Sequence, residues 1–397
     1  MSKCRVLVLV PHYLPGFESG GPIRSIVNLV DHLGGRLDVA IITSDRDARD
    51  EGPYENVPAC QWTAVGEAKV LYVPPSDMTI AKWARLIRET PHDVLYLNSF
   101  FHLVFSIRPA IARRLRLIPT RPVVVAPRGE FSAGALGLKK WKKGLFVIAA
   151  RAFGLYRDVT WHASSRFEAN DIRAVMKGQA RRVAVAENLP PRHSLDLEQS
   201  QRTREPGDRL RVCYLSRITP KKNLHGALEV LRHVRADIEF NIYGPIRDEP
   251  YWRTCQQLIG EVPTNVTVSY GGSVPYGSVR SVLAEHDLFF LPTLGENYGH
   301  AIVEAMSVGT PVLIADTTPW RGLEGDGAGW DIPLDRKDRF IEVVERVAGL
   351  SDEEYARCRR SVLAFARNRL RDPALLESNY AVFDDAVHER DVGEKAT

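Results

Sequence analysis

The stretch Gly295–Leu313 reads GENYGHAIVEAMSVGTPVL and organises the second half of the chain. It follows the short apolar run Asp287–Pro292, which is typical of a buried strand. Two carboxylates, Glu296 and Glu304, stand in this stretch with seven residues between them. The pattern predicts a strand, a tight loop, a helix, a Gly-Thr-Pro turn and a second strand.

This strand–loop–helix unit predicts a site for an anionic ligand. The first N–H groups of a helix lack intrahelical partners, and the helix macrodipole favours negative charge beside them. We expect Glu296 in the loop, free to accept hydrogen bonds from hydroxyl groups. Glu304 is expected about a turn and a half inside the helix, facing the same cleft. Phosphate donors flanked by two hydroxyl-binding carboxylates suit a nucleotide sugar.

In this context the segment resembles the Glu-x7-Glu signature of retaining glycosyltransferases of the GT-B fold, in the large family 4 class (glycosyl transferases group 1). The resemblance covers most of the chain. It implies an α/β protein with two facing Rossmann-like domains, parallel sheets and an interdomain cleft. From the residues alone, Glu304 could instead be a solvated helix carboxylate and Glu296 a capping residue.

Length and composition set the class of protein. The chain has 397 residues, 44% of them hydrophobic, which suits two domains with well-filled cores. No run reaches the roughly 18 uncharged apolar residues of a membrane span, and the N-terminus is too short and strand-like for a signal peptide. The five cysteines are scattered without a Cys-x-x-Cys pair, so neither a disulfide framework nor a metal site is supported. A reducing cytosol is the expected setting.

Charge is distributed unevenly between the two halves. Residues 1–190 carry 27 Lys and Arg against 17 Asp and Glu, whereas the remainder carries 26 against 32. The first half is therefore expected to meet something anionic, either nucleic acid or an anionic membrane surface. Of these two candidates, nucleic acid is not expected as a partner, because the basic cluster lacks a recognition module.

Strands alternate with amphipathic stretches in both halves, which predicts βαβ units and parallel sheets. We expect an acceptor-binding domain at 1–190, a linker at 191–209 and a nucleotide-sugar-binding domain at 210–372. By resemblance, the last segment, 373–397, is a helix crossing back to the first domain, followed by a tail. The predicted strands of the first half are Val6–Val10, Leu37–Ile42, Val70–Val73, Val94–Leu97, Val123–Ala126 and Val159–Ala163. Those of the second half include Arg211–Leu215, Glu239–Tyr243 and Val266–Tyr270.

Two cations, Arg217 and Lys222, come directly after the predicted strand Arg211–Leu215. Ligands of open α/β sheets bind at the carboxyl ends of strands, so we expect both side chains to converge on a diphosphate. They would neutralise the charge of a leaving nucleoside diphosphate. The family pattern also has Arg and Lys at this spacing. The alternatives are a role for Lys221 instead, or solvated loop charge.

The resemblance further implies that Glu304 holds the ribose and Glu296 the donor sugar hydroxyls. The start of the helix is expected to assist through Tyr298, Gly299, His300, Ala301 and Ile302. In the first half, Gly20 and Gly21 are expected beside the donor diphosphate, with a purely structural turn as the alternative. Arg128 stands where many relatives carry a histidine that contacts the donor sugar. This departure leaves the sugar open, and a salt bridge to Glu130 is the alternative.

Other residues of the first half are candidates for the acceptor side. His102 follows a predicted strand and is a candidate cleft residue, although a lone histidine is more often structural. A basic segment with an aromatic residue suits an anionic acceptor or a membrane surface, with ordinary helix core as the alternative; it contains Lys139, Lys140, Trp141, Lys142 and Lys143. Asp45-Arg-Asp47 matches the metal-binding Asp-x-Asp of the other major glycosyltransferase fold, but we predict a loop without a metal.

The predicted function is transfer of a sugar, with retention, from a nucleotide sugar to a glycan or polyprenyl-diphosphate-linked acceptor. Cell-surface polysaccharide synthesis, such as that of lipopolysaccharide or exopolysaccharide, is the expected pathway. No cofactor or metal is expected, since two cations and a helix dipole would neutralise the diphosphate. The expected location is the cytoplasm, peripheral on the inner face of the membrane. The alternatives are a sugar-nucleotide epimerase, a sugar-phosphate synthase, or a catalytically silent binding subunit.

Overall fold

A computed structural model describes residues 3–137, 140–192 and 208–394, without the side chains of residues 133, 137, 140 and 389–394. The described chain forms two compact units. Unit 1 contains the residues up to Arg192 together with those from Asp372 onward, and unit 2 contains those between. Most of the predicted linker at 191–209 lies outside the described residues.

The central strands of the unit 1 sheet are apolar and covered on both faces, as a parallel sheet requires. Its strands are β1 (Cys4–Leu9), β2 (Leu37–Ser44), β3 (Trp62–Val65), β4 (Ala68–Val73), β5 (Val94–Asn98), β6 (Val123–Ala126), β7 (Thr160–Ala163) and β8 (Arg182–Val185). The order across the sheet is β3-β4-β2-β1-β5-β6-β7-β8. All neighbours are parallel except β3 and β4, which form an antiparallel pair at one edge.

Helices connect these strands and cover the sheet. They are α1 (Gly21–Leu33), α2 (Ile80–Glu89), α3 (Arg108–Arg114), α4 (Ala133–Gly137), α5 (Lys140–Ala152) and α6 (Arg166–Met176), with a π-helix at Leu103–Ile107. The apolar stripe of α2 buries Trp83 and Ile87 in the core beside β5. A Thr79 side chain caps its first turn by accepting from Lys82 N.

The last helix, α13 (Pro373–Glu394), belongs to unit 1 although it ends the chain. Phe383 is fully buried and makes an edge contact with the ring of Tyr96, with ring centroids 5.1 Å apart. Asn379 Nδ2 donates to the Glu187 carbonyl (2.7 Å). These contacts tie the C-terminal end of the chain to the strands of the first half.

Unit 2 repeats the architecture with a fully parallel sheet. Its strands are β9 (Leu210–Leu215), β10 (Ile238–Tyr243), β11 (Val266–Tyr270), β12 (Leu288–Leu291), β13 (Val312–Ala315) and β14 (Gly329–Ile332), in the order β11-β10-β9-β12-β13-β14. Its helices are α7 (Leu224–Leu231), α8 (Glu249–Ile259), α9 (Val279–Ala284), α10 (His300–Ser307), α11 (Lys337–Ala348) and α12 (Asp352–Leu370). The order reverses between β9 and β12, and ligands of such sheets bind at this switch point.

The prediction of two Rossmann-like α/β domains with parallel sheets is confirmed. The sequence analysis missed β3, β8 and β14. β3 and β8 are four-residue edge strands with no fully buried residue, so they lack the apolar run that marks a central strand. None of the helices that the structure describes combines the length and apolar character needed to cross a bilayer.

Candidate active site

The loops that follow β9 and β12 meet at the carboxyl ends of two paired strands. The Lys221 carbonyl accepts from Leu294 N (2.8 Å) and Thr293 Oγ1 (3.1 Å). Asn223, in the left-handed conformation at φ 57°, donates from Nδ2 to the Pro292 carbonyl (2.7 Å). These bonds hold the two loops as one assembly, so residues 220–223 and 292–296 keep a fixed relation.

This assembly brings Lys222 and Glu296 into an ion pair, with the Lys222 ammonium donating to Glu296 Oε1. Only 10% of the Lys222 side chain and 14% of the Glu296 side chain are exposed. The expectation that Glu296 is free to accept from hydroxyl groups is therefore wrong for Oε1. The physical reason is that a nearly buried ammonium needs a counter-charge, and Glu296 supplies it.

Arg217 lies two residues beyond the end of β9, next to this pair. Its side chain is exposed, yet desolvation lowers the pKa of its guanidinium, while Glu296 acts in the opposite direction and Arg247 adds to the lowering. Because Arg217 is exposed, a ligand can reach its guanidinium. Arg217 and Lys222 thus flank the same carboxylate, as two cations against one anion.

The sequence analysis missed Arg247, which follows the neighbouring strand β10. A parallel bridge joins Ile218 to Ile246, with Ile218 N donating to Pro245 O (3.0 Å) and Arg247 N donating to Ile218 O (3.1 Å). Ile218 is fully buried. Side chains alternate between the two faces of an extended chain, and Arg217 and Arg247 are each one residue away from the bridge. Both therefore lie on the same face, opposite to that of Ile218. A cation just after a second predicted strand was the signal that could have identified it.

Helix α10 begins at a glycine for two physical reasons. Gly299 has φ 84°, and a Cβ there would lie 2.7 Å from Ile302 Cδ1. No side chain caps the helix, so the capping role considered for Glu296 is wrong. The Ile302 amide donates to the Gly299 carbonyl (2.9 Å) and serves the helix itself. The Ile302 amide is therefore engaged within the helix rather than directed at a ligand.

The residues around the helix start are supported by aromatic contacts. The Tyr298 carbonyl accepts from Trp320 Nε1 (2.6 Å), and the Tyr298 ring lies 4.9 Å from the His300 ring between centroids. Tyr298 is buried, whereas His300 and Ala301 are half-buried. Glu304 is only 4% exposed, so the interpretation of Glu304 as a solvated helix carboxylate is wrong.

In unit 1, Arg128 has a left-handed backbone, with φ 55°. Its guanidinium donates to Asn98 Oδ1 (3.0 and 3.2 Å), Asn188 Oδ1 (2.6 Å) and Tyr96 OH (2.6 Å). Four of the five N–H groups of an arginine are then engaged. The Glu130 carboxylate accepts instead from Ser99 Oγ and from the amides of residues 100 and 101. The alternative of an Arg128–Glu130 salt bridge is therefore wrong.

The Arg128 hydrogen bonds continue into the interior. Tyr96 OH donates to His162 Nδ1 (2.7 Å), because His162 Nε2 donates to the Ala186 carbonyl (2.9 Å) and Nδ1 is left as the acceptor. Burial, helped by the positive charge of Arg128, lowers the pKa of His162 to about 3. Arg128 thus ends a buried hydrogen-bonded chain of neutral groups.

The Asp-x-Asp segment organises a loop, as predicted. The Asp47 carboxylate accepts from Phe17 N (2.7 Å) and Glu18 N (3.0 Å), and Asp45 pairs with Arg46 (2.8 Å). Both carboxylates are therefore engaged with the protein. Among the residues that the structure describes, no group of three His, Cys, Asp or Glu side chains is placed to hold a metal ion.

The Asp47-bound loop leads into Gly20 and Gly21 at the start of α1. Gly20 has φ 63°, and a Cβ there would meet nothing within 4 Å. Glycine is favoured at position 20 by the left-handed backbone conformation and not by steric crowding. The candidate cleft residue His102 lies in the loop after β5 and accepts at Nδ1 from Phe105 N (3.2 Å). Burial, together with His12, lowers the pKa of His102 to about 4.

The basic segment 139–143 contains both a residue with contacts inside unit 1 and an exposed one. Lys143 Nζ donates to the Ala135 carbonyl (2.6 Å) and lies 5.1 Å from the centre of the Phe101 ring. Lys143 is therefore used inside unit 1. Trp141 is 71% exposed, with the Lys142 ammonium 5.5 Å from its ring centre. The prediction for Lys139, and that for the side chain of Lys140, lie outside the described residues.

Comparisons with known proteins agree with this geometry. Residues 196–361 match the family described as glycosyl transferases group 1, and residues 20–188 match a glycosyl transferase 4-like domain. A 161-residue segment is 29% identical to the putative colanic acid biosynthesis glycosyltransferase WcaL of Escherichia coli K12. This segment covers 38% of the chain and 39% of WcaL, so the match spans well under half of that relative.

Solved structures show the same fold. The crystal structure of Anabaena Alr3699/HepE in complex with UDP and glucose is similar at TM-score 0.68 and 15% identity, over 96% of this chain and 99% of that one. WaaG, a glycosyltransferase involved in lipopolysaccharide biosynthesis, is similar at TM-score 0.65 and 15% identity, over 96% and 98%. The two family matches together span most of the chain, and the chain belongs to the glycosyl transferases group 1, with the GT-B fold.

Proposed function

We propose that this protein transfers a sugar, with retention of anomeric configuration, from a nucleotide sugar to a glycan or lipid-linked acceptor. The observation that carries the proposal is the nearly buried Lys222–Glu296 pair beside Arg217, at the switch point of the unit 2 sheet. Strand carboxyl ends at such a point are where ligands of open α/β sheets bind. Two cations at that point suit a diphosphate.

The ion pair supplies a way to couple donor binding to sugar recognition. When a diphosphate arrives, the Lys222 ammonium gains a doubly charged partner and can release Glu296 Oε1. Glu296 then accepts hydrogen bonds from the donor sugar hydroxyls. In the free protein, Glu296 therefore occupies the place beside Lys222 that the diphosphate takes on binding. Neither buried charge is then left without a partner.

The remaining roles follow the same arrangement. Glu304 holds the ribose, and the main chain from Tyr298 to Ala301 assists at the start of α10. In unit 1, Arg128 shapes the sheet edge, since most of its N–H groups are engaged within unit 1. With the charge of the leaving diphosphate stabilised by Arg217 and Lys222, the sugar–phosphate bond breaks, the acceptor hydroxyl attacks the same face of the sugar, and its proton passes to the departing diphosphate. No metal is needed for this neutralisation.

The acceptor side is proposed from charge and from the relatives. The basic first half suits an anionic acceptor such as a polyprenyl-diphosphate-linked glycan. The relatives named for colanic acid and lipopolysaccharide biosynthesis support a pathway of cell-surface polysaccharide synthesis. Such an acceptor implies work in the cytoplasm at the inner face of the membrane, as a peripheral protein.

A thermal-shift panel of UDP-, GDP- and ADP-sugars tests donor binding, because a ligand of the native state raises the melting temperature. Turnover with the donor found is then followed by nuclear magnetic resonance, which reports the anomeric configuration of the product, with and without EDTA. We expect one nucleotide class to stabilise the protein, and retention that survives EDTA. A free sugar epimer or a sugar phosphate as product would establish one of the rival enzymes. Donor binding without any turnover would indicate a silent binding subunit.

A further inference from the structure

Helix α7 begins two residues after Lys222, and the residue at its N-cap position is used elsewhere. Asn223 occupies that position, but its side-chain Nδ2 donates to the Pro292 carbonyl (2.7 Å) and so joins the two loops of the site. The same side chain lies against Gly226, where a Cβ would be 2.5 Å from Asn223 Nδ2. The first amides of an α-helix have no partners within the helix. Those of α7 therefore need an acceptor from another part of unit 2.

Tyr251, on α8, supplies this acceptor. Its hydroxyl oxygen accepts from His225 N (3.0 Å) and also from Leu224 N. A hydroxyl has two lone pairs and one proton. Because these amides use both lone pairs, the proton is donated to His225 Nδ1 (2.9 Å). A side chain from 26 positions further along the chain thus caps the first turn of α7, as an N-cap residue usually does.

The Tyr251 hydroxyl is presented by a rigid support. Asp248 Oδ1 accepts from Tyr251 N (3.0 Å) and caps α8. The same helix buries Trp252 and Cys255 in the core of unit 2. The Tyr251 ring itself is only half-buried. Packing of the ring does not require the hydroxyl, whereas the cap on α7 does.

The main chain of Lys222 is held on both sides by contacts of this kind. The buried Tyr214 donates from its hydroxyl to the Lys222 carbonyl (3.1 Å), and Lys222 N donates to the Thr219 carbonyl (3.0 Å). Tyr251 holds the amides two and three residues further along the chain. These bonds fix the point from which the Lys222 side chain extends towards Glu296.

We propose that Tyr251 is a positioning residue for Lys222. By capping α7 through its hydroxyl, it keeps the Lys222 main chain in place while the ammonium exchanges Glu296 for a diphosphate. A cation on a mobile backbone would have to be ordered at each binding event, and this ordering would weaken binding. The inference rests on the proposed function for the identity of the ligand, but not for the cap itself. The role needs no contact between Tyr251 and the ligand.

The first test is hydrogen exchange without any ligand, in the full-length protein and in Tyr251→Phe. This variant keeps the ring and removes the cap, so we expect the amides of residues 224–226 to exchange at least about fivefold faster. Tyr355→Phe is the matched control. The Tyr355 hydroxyl donates to the Asp287 carbonyl (3.0 Å) at the opposite, amino end of β12, so its loss should leave residues 224–226 unchanged. Unchanged exchange in Tyr251→Phe, or equal acceleration in both variants, would overturn the proposal.

The second test asks whether the effect acts through Lys222. Inorganic pyrophosphate is titrated, and its binding is followed by thermal shift. We expect Tyr251→Phe to weaken the affinity about fivefold in the wild-type background and to have no effect in the Lys222→Met/Glu296→Gln background, because the residues are coupled. Equal weakening in both backgrounds would show a general structural effect and would also overturn the proposal. If the wild-type protein bound no pyrophosphate, the proposed function of the site would fail, whereas the exchange experiment would still decide whether Tyr251 fixes the start of α7.

Discussion

The two sheets carry polar clusters at the carboxyl ends of their strands, and the two clusters differ in how their charge is balanced. In unit 2, Lys222 pairs with Glu296, Arg217 lies close enough to interact with the same carboxylate, and Arg247 lies close to Arg217. In unit 1, Arg128 is surrounded by neutral oxygen atoms that engage four of its N–H groups. The first arrangement has an excess of positive charge that an anionic ligand would balance. The second is complete without a ligand, so similar architecture supports binding in one unit and internal order in the other.

The strongest test of this difference is Arg217→Ala. We expect kcat/KM for sugar transfer to fall by about a thousandfold, on the order of 4 kcal/mol, because charge stabilisation of the leaving group is lost. The melting temperature should change little, since the side chain is exposed. Steady-state kinetics and thermal unfolding measure the two effects.

Arg211→Ala is the matched control for this experiment. Arg211 lies on the same strand, β9, and pairs at the surface with Glu239 (3.4 Å). Its removal should leave turnover intact. Equal losses in the two variants, or unchanged turnover in Arg217→Ala, would contradict the assigned role.

Breaking the buried pair in unit 2 should be the next largest effect. Lys222→Met leaves Glu296 with little solvent and without its counter-charge, so the free energy of unfolding should fall by about 3 kcal/mol. Adding Glu296→Gln should restore much of that stability without restoring transfer. Chemical denaturation and turnover of both variants measure this. Additive stability losses would show that the two side chains do not depend on each other.

The sequence predicted the fold more completely than the site. The central strands and the switch-point loops were identified because apolar runs, glycine turns and strand-end cations are local signals. The ion pair between Lys222 and Glu296 was not, since 74 positions separate the partners and only the parallel β9–β12 pairing brings them together. The same holds for Arg128, whose partners come from β5 and from Asn188. Contacts between loops at the edge of a sheet depend on the strand order, which cannot be read from a single sequence.

Arg128→Met tests whether the unit 1 cluster is internal. Loss of the guanidinium leaves buried oxygen atoms of Asn98 and Tyr96 without their donor, so unfolding should become easier by about 2 kcal/mol. The KM for the donor should change less than it does in the unit 2 variants. Arg166→Met, at an exposed arginine of α6, is the control. A large rise in donor KM with unchanged stability would assign Arg128 to the sugar instead.

Acid should distinguish the two units. Burial lowers the pKa of His162 to about 3 and that of His102 to about 4. The unfolded chain takes up these protons near pH 6.5 and the folded unit does not, so stability is lost as pH falls from about 6.5 towards these values, by up to about 1.4 kcal/mol per pH unit for each histidine. Denaturant unfolding at pH 7 and pH 5, with hydrogen exchange to locate the change, should show it in unit 1.

His162→Gln should flatten the pH dependence of unit 1, whereas His388→Gln, at an exposed histidine of the same unit, should not. If unit 2 lost protection first on acidification, the contrast between a neutral cluster in unit 1 and a charged one in unit 2 would be contradicted.

The smallest expected effect belongs to Arg247→Ala. Arg247 shares a face with Arg217 through the bridge between Ile218 and Ile246, but it follows β10, which lies one strand further from β12 than β9 does. We expect donor affinity, measured by calorimetry, to weaken about fivefold, on the order of 1 kcal/mol, and kcat to change less, because a third cation adds to binding more than to leaving-group departure. Arg253→Ala on α8 serves as the control. Because Arg247 also lowers the pKa of Arg217, tighter donor binding in the variant would show that repulsion between the cations, rather than attraction of the diphosphate, is what Arg247 contributes.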